Sequence, residues 1–364
     1  LKEVILNNRA NALLILFLTI CLALIADAQQ KQKETKYFDW FTDQNMRKPV
    51  ENPDAKKLPL IKVKGNRFIT ASGDTIVFRG TSIADPDKLE QEKKWNKEIF
   101  IHVKEFGATI VRIPVHPVPW RMRTPEKYLK LLDQAVEWCT ELEIYVIIDW
   151  HSIGNLGMEL FQNPVYNTTR QETYEFWRTI AYHFKGNNTV AFYELFNEPT
   201  LFFGKLGSMP WSEWKKINEN IIRLIRAYDT EKIPLVAGFD WAYNLTPLRI
   251  EPIEAEGVGY VTHPYANKCK RPYFPKWDEA FGFAADRYPV IATEFGFTFG
   301  TREWEDNGEY GKEIISYLEE REISWVCWVF DPEWFPRLVE SWTPFKLTKS
   351  GEFFKQAMQK KNPK

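Results

Sequence analysis

The sequence predicts a single (β/α)8 barrel, and three observations carry that prediction. Eight short apolar segments alternate with amphipathic helical patterns between Thr75 and Met358. From the second segment onward the apolar runs end in His, Glu, Trp or Tyr, and a barrel keeps its chemistry at the carboxyl ends of its strands. The first segment leads into Arg79-Gly80-Thr81-Ser82-Ile83-Ala84-Asp85. That stretch is not the glycine-rich phosphate loop expected of a doubly wound sheet, the rival fold.

Taken in order, residues 1–28 read as a secretory signal peptide. Lys2 and Arg9 precede an apolar run from Ala12 to Ala26, and Ala26-Asp27-Ala28 has the small-x-small form of a cleavage site. The run is short for a hydrocarbon core of about 30 Å, so a membrane anchor is the lesser reading. Export to the periplasm, the cell surface or the medium is expected, with no membrane insertion once the leader is removed. Residues 29–59 are polar and interrupted by proline, a linker and lead-in. Residues 60–364 are expected to form the barrel domain. Beyond the leader the cysteines are Cys139, Cys269 and Cys327, an odd number with no metal-site spacing, which excludes a complete disulfide framework.

Lys62 to Ile69 reads as a hairpin turning at Gly65-Asn66, placed to plug one end of the barrel. The strands follow at 76–82, 109–115, 145–150, 190–197, 235–239, 257–262, 290–295 and 324–330. Helical patterns run over 95–106, 125–142, 172–184, 211–228, 277–285, 309–320 and 352–358. Thr124 is the expected N-cap of the second, with Pro125 at its first position. The segment from Pro247 to Glu254 is the weak member of the series.

Net charge is −1, so nothing points to nucleic acid or an anionic membrane surface. The 15 Trp and 15 Tyr exceed what a core needs. Aromatic-lined loops suit a neutral, extended, hydroxyl-rich ligand. A monomer is expected.

The fourth segment, Phe192-Tyr193-Glu194-Leu195-Phe196-Asn197-Glu198-Pro199, carries two carboxylates in an otherwise apolar run. A buried strand rarely holds two for packing alone. The seventh, Pro289-Val290-Ile291-Ala292-Thr293-Glu294-Phe295-Gly296, again ends in Glu. Glu198 and Glu294 are therefore expected to face each other across one cleft; two structural salt bridges are the alternative. Paired carboxylates about 5 Å apart make a retaining glycosidase, and a wider gap an inverting one. Spacing alone does not say which is acid and which nucleophile.

Other strand ends supply candidate support. Arg112 is placed to fix a carboxylate by a bidentate pair. His116 and His151 are candidates to line the site. His263 and Tyr265 are two apart and share a face, Tyr265 to donate to the nucleophile and His263 to tune it. Trp328 is a candidate floor beneath a sugar ring. Trp120, Trp150, Trp211, Trp241 and Trp334 are candidates for outer subsites. Arg79 is the expected partner of Glu194, a structural pair beneath the site. With no close His-x-His or His-Glu-x-x-His, no metal and no cofactor are expected. No Gly-x-Ser-x-Gly elbow marks a serine nucleophile.

These residues resemble glycoside hydrolase family 5, over roughly Ile76 to Ala357. The most specific stretch is Leu195-Phe196-Asn197-Glu198-Pro199, the family's Asn-Glu-Pro segment. The resemblance implies that Glu198 is the general acid/base and Glu294, in Ile291-Ala292-Thr293-Glu294-Phe295-Gly296, the nucleophile. It also implies that Arg112 is the strand-two arginine and that Asn197 contacts the sugar 2-hydroxyl. His151 matches the strand-three histidine, His263 and Tyr265 the strand-six His-x-Tyr, and Trp328 the strand-eight tryptophan under the −1 sugar. The wording around His151 and His263 is closer to bacterial endo-β-1,4-glucanases than to mannanases. The expected activity is therefore a secreted retaining endo-β-1,4-glucanase acting on a β-linked polysaccharide. Mannanase, xyloglucanase and mixed-linkage glucanase activities use the same centre, and an inactive carbohydrate-binding barrel is the alternative of another class.

Overall fold

A computed structural model of the chain describes residues 57–200, 206–300, 305–306 and 308–362. The expected leader and most of the linker lie outside the described residues. Eight strands close into a parallel barrel: β1 (Arg79–Ile83), β2 (Ile110–Val115), β3 (Tyr145–Trp150), β4 (Val190–Glu194), β5 (Ile233–Ala237), β6 (Gly259–Thr262), β7 (Val290–Ala292) and β8 (Ser324–Phe330). Each pairs with its neighbours in sequence, and β8 closes on β1 through Val326 opposite Gly80. Barrel strands are covered on both faces, which is why β2, β3, β4 and β8 are buried along their whole length.

Side-chain alternation divides the interior into two levels. The lower level is apolar, with Phe78, Ile110, Tyr145, Ile147, Phe192, Leu235, Val261, Ile291 and Val326 in one cluster. The hairpin of Lys62–Lys64 and Arg67–Ile69 seals it from below, as its position in the sequence predicts. Phe68 is 3% exposed and meets Phe192 edge-on at 4.9 Å. Two glycines make that closure fit. A Cβ on Gly259 would lie 3.2 Å from the Phe68 ring, and one on Gly80 would lie 1.8 Å from the Ile110 carbonyl. One pleat higher on the same strands the residues turn polar: Arg112, Asp149 and Glu194 point into the barrel above the plug, and His263 and Thr293 join them just past β6 and β7.

Helices cover the outside at Lys97–Phe106, Pro125–Leu142, Arg170–His183, Trp211–Arg226, Tyr273–Ala280, Glu309–Glu320 and Lys349–Lys361. Between β5 and β6 the weak segment is only a single 3₁₀ turn, Thr246–Arg249. Two elements depart from expectation. Thr124 holds the N-cap position of Pro125–Leu142, but its φ is 75° and its hydroxyl makes no cap bond. A short helix, Pro117–Arg123, ends directly against it and leaves no extended residue there to swing a side chain onto the helix. The expected strand 190–197 also stops at Glu194. The chain then leaves the barrel wall, and Glu198–Pro199 pairs with Ile153–Asn155 in a small separate sheet.

Candidate active site

The centre is built from strand ends. Past β4, the Asn197 N–H donates to the Trp150 carbonyl at 3.1 Å and the Glu198 N–H to the Ser152 carbonyl at 3.1 Å. These bonds pin Glu198 to the rim above β3. Glu294 follows β7. A carboxylate oxygen of each lies within 4.8 Å of the other and of a His263 nitrogen, and both residues are 7% exposed.

The two carboxylates are held differently. Tyr265 Oη donates to Glu294 Oε1 at 2.8 Å and Arg112 Nη1 to Glu294 Oε2 at 3.2 Å. Both oxygens of Glu294 are thus engaged. Glu198 meets His263 Nδ1 through Oε1 at 2.9 Å, and its Oε2 has no hydrogen-bond partner among the described residues. His263 Nε2 lies 3.0 Å from Thr293 Oγ1, whose hydroxyl donates to Glu194 Oε1 at 3.0 Å. A continuous hydrogen-bonded chain therefore runs from Glu198 through His263, Thr293, Glu194 and Arg112 to Glu294.

Arg112 is the hub of that chain. It is fully buried and forks onto Glu194 through Nε at 2.8 Å and Nη2 at 2.9 Å, while Nη2 also reaches Asn197 Oδ1 at 2.6 Å and lies 3.0 Å from Asp149 Oδ2. Burial alone would lower its pKa, but Asp149, Glu194 and Glu294 more than reverse this and hold it raised. Burial would raise Glu194; Arg112 overcomes it and brings that carboxyl down to about 2. Burial likewise opposes a charge on His263, yet the surrounding glutamates raise it to about 9, so it is cationic at neutral pH. Burial pushes Glu294 up, with Glu198 adding to the rise, against the pull of His263, Arg112 and Tyr265.

The expected Arg79–Glu194 pair does not form. Arg79 points outward from β1 and binds Glu319 on the helical layer at 2.7 Å. Its residue parity puts it on the opposite face of the sheet from Gly80 and Ser82, and Arg112 from the next strand takes the place inside. His263, expected to tune the nucleophile, hydrogen-bonds directly to Glu198 and acts on Glu294 through space, pulling its pKa down.

A cleft of about 990 Å³ opens above the pair, lined by His151, Tyr166, Trp241, Tyr265, Trp328 and Phe335 among others. Trp328, joined to Val329 by a cis peptide, presents a ring parallel to His151 at 5.4 Å. Trp334 stacks behind it at 5.7 Å. His151 is itself fixed by Asp149 Oδ2 at 2.6 Å, and burial pushes its pKa down. His116 is buried beside His151 and takes its orientation from Asp85.

Of the five candidate outer tryptophans, Trp241 lines the cleft. Trp120 and Trp150 are core residues packed on Phe176, 4% and 0% exposed, so they cannot touch a ligand. Trp211 spends its indole N–H on the Glu251 carbonyl and packs edge-on to Phe239. Period-two parity at the end of β3 turns Trp150 outward to the helices when His151 turns in. Residues that sequence reasoning missed include Asp85, Tyr166, Gln162 and Lys268. Asp85 was within reach of the strand-end rule; Tyr166 and Lys268 sit in short 3₁₀ turns and Gln162 in a loop, where no periodic pattern marks them.

Glu198, His263 and Glu294 offer ligand atoms close enough to surround a cation. Each already has a protein partner, and a cation there would compete with the buried Arg112 charge and with a cationic His263.

A model of the cellulase family, glycosyl hydrolase family 5, matches residues 69–333. The structure is similar to that of a β-glucanase of Saccharophagus degradans, at 44% identity and a TM-score of 0.85, covering 88% of this chain and 98% of that one. That enzyme has also been solved with cellotetraose. Endoglucanase E-5 of Thermobifida fusca is 24% identical over 272 residues, 70% of this chain and 54% of that protein. Endoglucanase A of Butyrivibrio fibrisolvens is 24% identical over 70% of this chain and 57% of its own length. The chain thus spans little more than half of those two relatives. With the family model matching across the barrel and its paired glutamates, the chain belongs to glycosyl hydrolase family 5.

Proposed function

We propose that this protein is a retaining endo-β-1,4-glucanase, exported by residues 1–28, that hydrolyses internal bonds of a β-1,4-linked glucan. The observation that carries the mechanism is the carboxylate pair: oxygens within 4.8 Å of each other, the short spacing that goes with a double displacement rather than with inversion. The names of similar proteins, endoglucanases and a β-glucanase, support the substrate.

The roles follow from how each carboxylate is held. Glu294, with Arg112 and Tyr265 donating to it, is aimed by them, and both favour its ionised form against the effect of burial; it attacks the anomeric carbon. Glu198, with Oε2 open to the cleft, delivers a proton to the departing glycosidic oxygen. The bond from the anomeric carbon to that oxygen breaks as the bond to Glu294 forms. Glu198, now a carboxylate, takes a proton from water, which attacks the same carbon from the other face, releases Glu294 and regenerates the acid. The configuration is retained. Asn197, whose Nδ2 is buried without a partner, is free to donate to the sugar 2-hydroxyl. Trp328 forms the floor. Trp241 stands on the leaving-group side, because its N–H donates to the Pro199 carbonyl, next to the acid, at 3.2 Å.

Azide rescue tests the assignment. Glu294→Ala with azide and an activated aryl β-cellobioside should give the α-azide, and Glu198→Ala the β-azide. Exchange of the two products between the variants would reverse the roles, and full activity in either variant would overturn them. Product release from carboxymethyl-cellulose, lichenan, xyloglucan and glucomannan compared in parallel tests the substrate.

A further inference from the structure

The loop after β5 holds three successive non-glycine residues in the left-handed region: Asp240 at φ 59°, Trp241 at 53° and Ala242 at 58°. Such residues are disfavoured singly, and three in a row persist only where surrounding contacts over-determine them. The contacts here are specific. Trp241 N–H donates to the Pro199 carbonyl, and His263 N–H donates to the Ala242 carbonyl at 3.2 Å. The turn is therefore tied to the residue after the acid Glu198 and to the histidine bonded to that acid. Trp241 Nε1 donates to Gln162 Oε1 at 2.7 Å.

Lys268, from the segment after β6, closes the arrangement. Its Nζ donates to the Asp240 carbonyl at 2.6 Å and lies 3.5 Å from the Asp240 carboxylate. The same ammonium sits over the Trp241 ring, 4.8 Å from its centroid. Its side chain is 12% exposed, and both it and Trp241 line the cleft. One cation thus braces the strained turn and covers one face of the indole, so that a sugar must use the rest of that ring.

We propose that Lys268 is a positioning residue for the leaving-group sugar. It fixes Trp241 in place relative to Glu198 and so sets how well the departing chain is oriented when its oxygen is protonated. This rests on the glucanase reading given above. A leaving group that is not a sugar should depend on Lys268 much less than a glucan does.

The experiment compares cellotetraose with an activated aryl β-cellobioside, whose leaving group needs neither a sugar contact nor strong acid assistance. Lys268→Met keeps most of the aliphatic stem and removes the charge. Its kcat/KM loss on cellotetraose should exceed its loss on the aryl substrate by about tenfold. Lys268→Arg, which restores a cation over the ring, should recover part of the difference. Equal losses on both substrates would make Lys268 a purely structural brace, and no loss on either would remove it from the site; both outcomes overturn the proposal. Wild-type enzyme that cleaves neither substrate would instead count against the glucanase reading, a separate failure.

Discussion

Tyr265→Phe isolates one bond in the centre. The Tyr265 hydroxyl is buried and donates to Glu294 Oε1 at 2.8 Å. A hydrogen bond to a charged group contributes about 1.5–3 kcal/mol. It stabilises the ionised form of Glu294 alone, so its removal raises that pKa by about one to two units, at about 1.4 kcal/mol per unit. Attack requires ionised Glu294, so the acidic limb of kcat/KM should move to higher pH by that amount while the alkaline limb stays. Below the limb the loss should reach roughly 10- to 100-fold, and raising the pH should recover much of it. The ring itself remains, so folding is little changed. The assay is the pH–rate profile on an aryl β-cellobioside, with thermal unfolding as control. An acidic limb that does not move in Tyr265→Phe would refute the claim that this hydroxyl holds the nucleophile ionised.

Three further outcomes follow from the geometry. His263 is raised from 6.5 to about 9, so its protonation stabilises the fold fully below pH 6.5, and that stability, a few kcal/mol, is lost as pH rises through 9; His263→Gln should flatten the denaturant midpoint across this window, and an unchanged slope would argue against a cationic His263. Phe68→Ala empties the barrel floor and should cost about 3–5 kcal/mol, read as a lower denaturation midpoint, with the carboxylate geometry above untouched. Trp241→Ala should weaken cellotetraose hydrolysis with little change in thermal stability, whereas Trp150→Ala should destabilise the protein by about 3–5 kcal/mol.

The barrel and its chemical end were legible because both depend on local pattern. Apolar runs alternating with amphipathic helices leave few topologies, and polar residues closing apolar strands are costly unless something uses them. Glu198, Glu294, Arg112 and Tyr265 were all found by that rule, and the structure brings them together. The rule does not state which carboxylate an arginine will choose. Arg79 and Arg112 both stand on strands beside the site, and only the closed barrel shows one facing Glu319 outside and the other facing Glu194 within. The aromatic candidates divided for a similar reason: Trp150 ends β3 and parity buries it, whereas Trp241, in the loop after β5, is delivered to the cleft by a left-handed turn.

By itself, then, the sequence determined the strand count, the plugging hairpin and the placing of two glutamates at strand ends, because periodicity and desolvation act on each segment alone. Tertiary structure alone decided their separation, the chain of bonds through His263, Thr293, Glu194 and Arg112, and the raised pKa of His263. Those properties arise from groups brought together from β2, β4, β6 and β7, and the field at any one of them is set by charges far away in the chain.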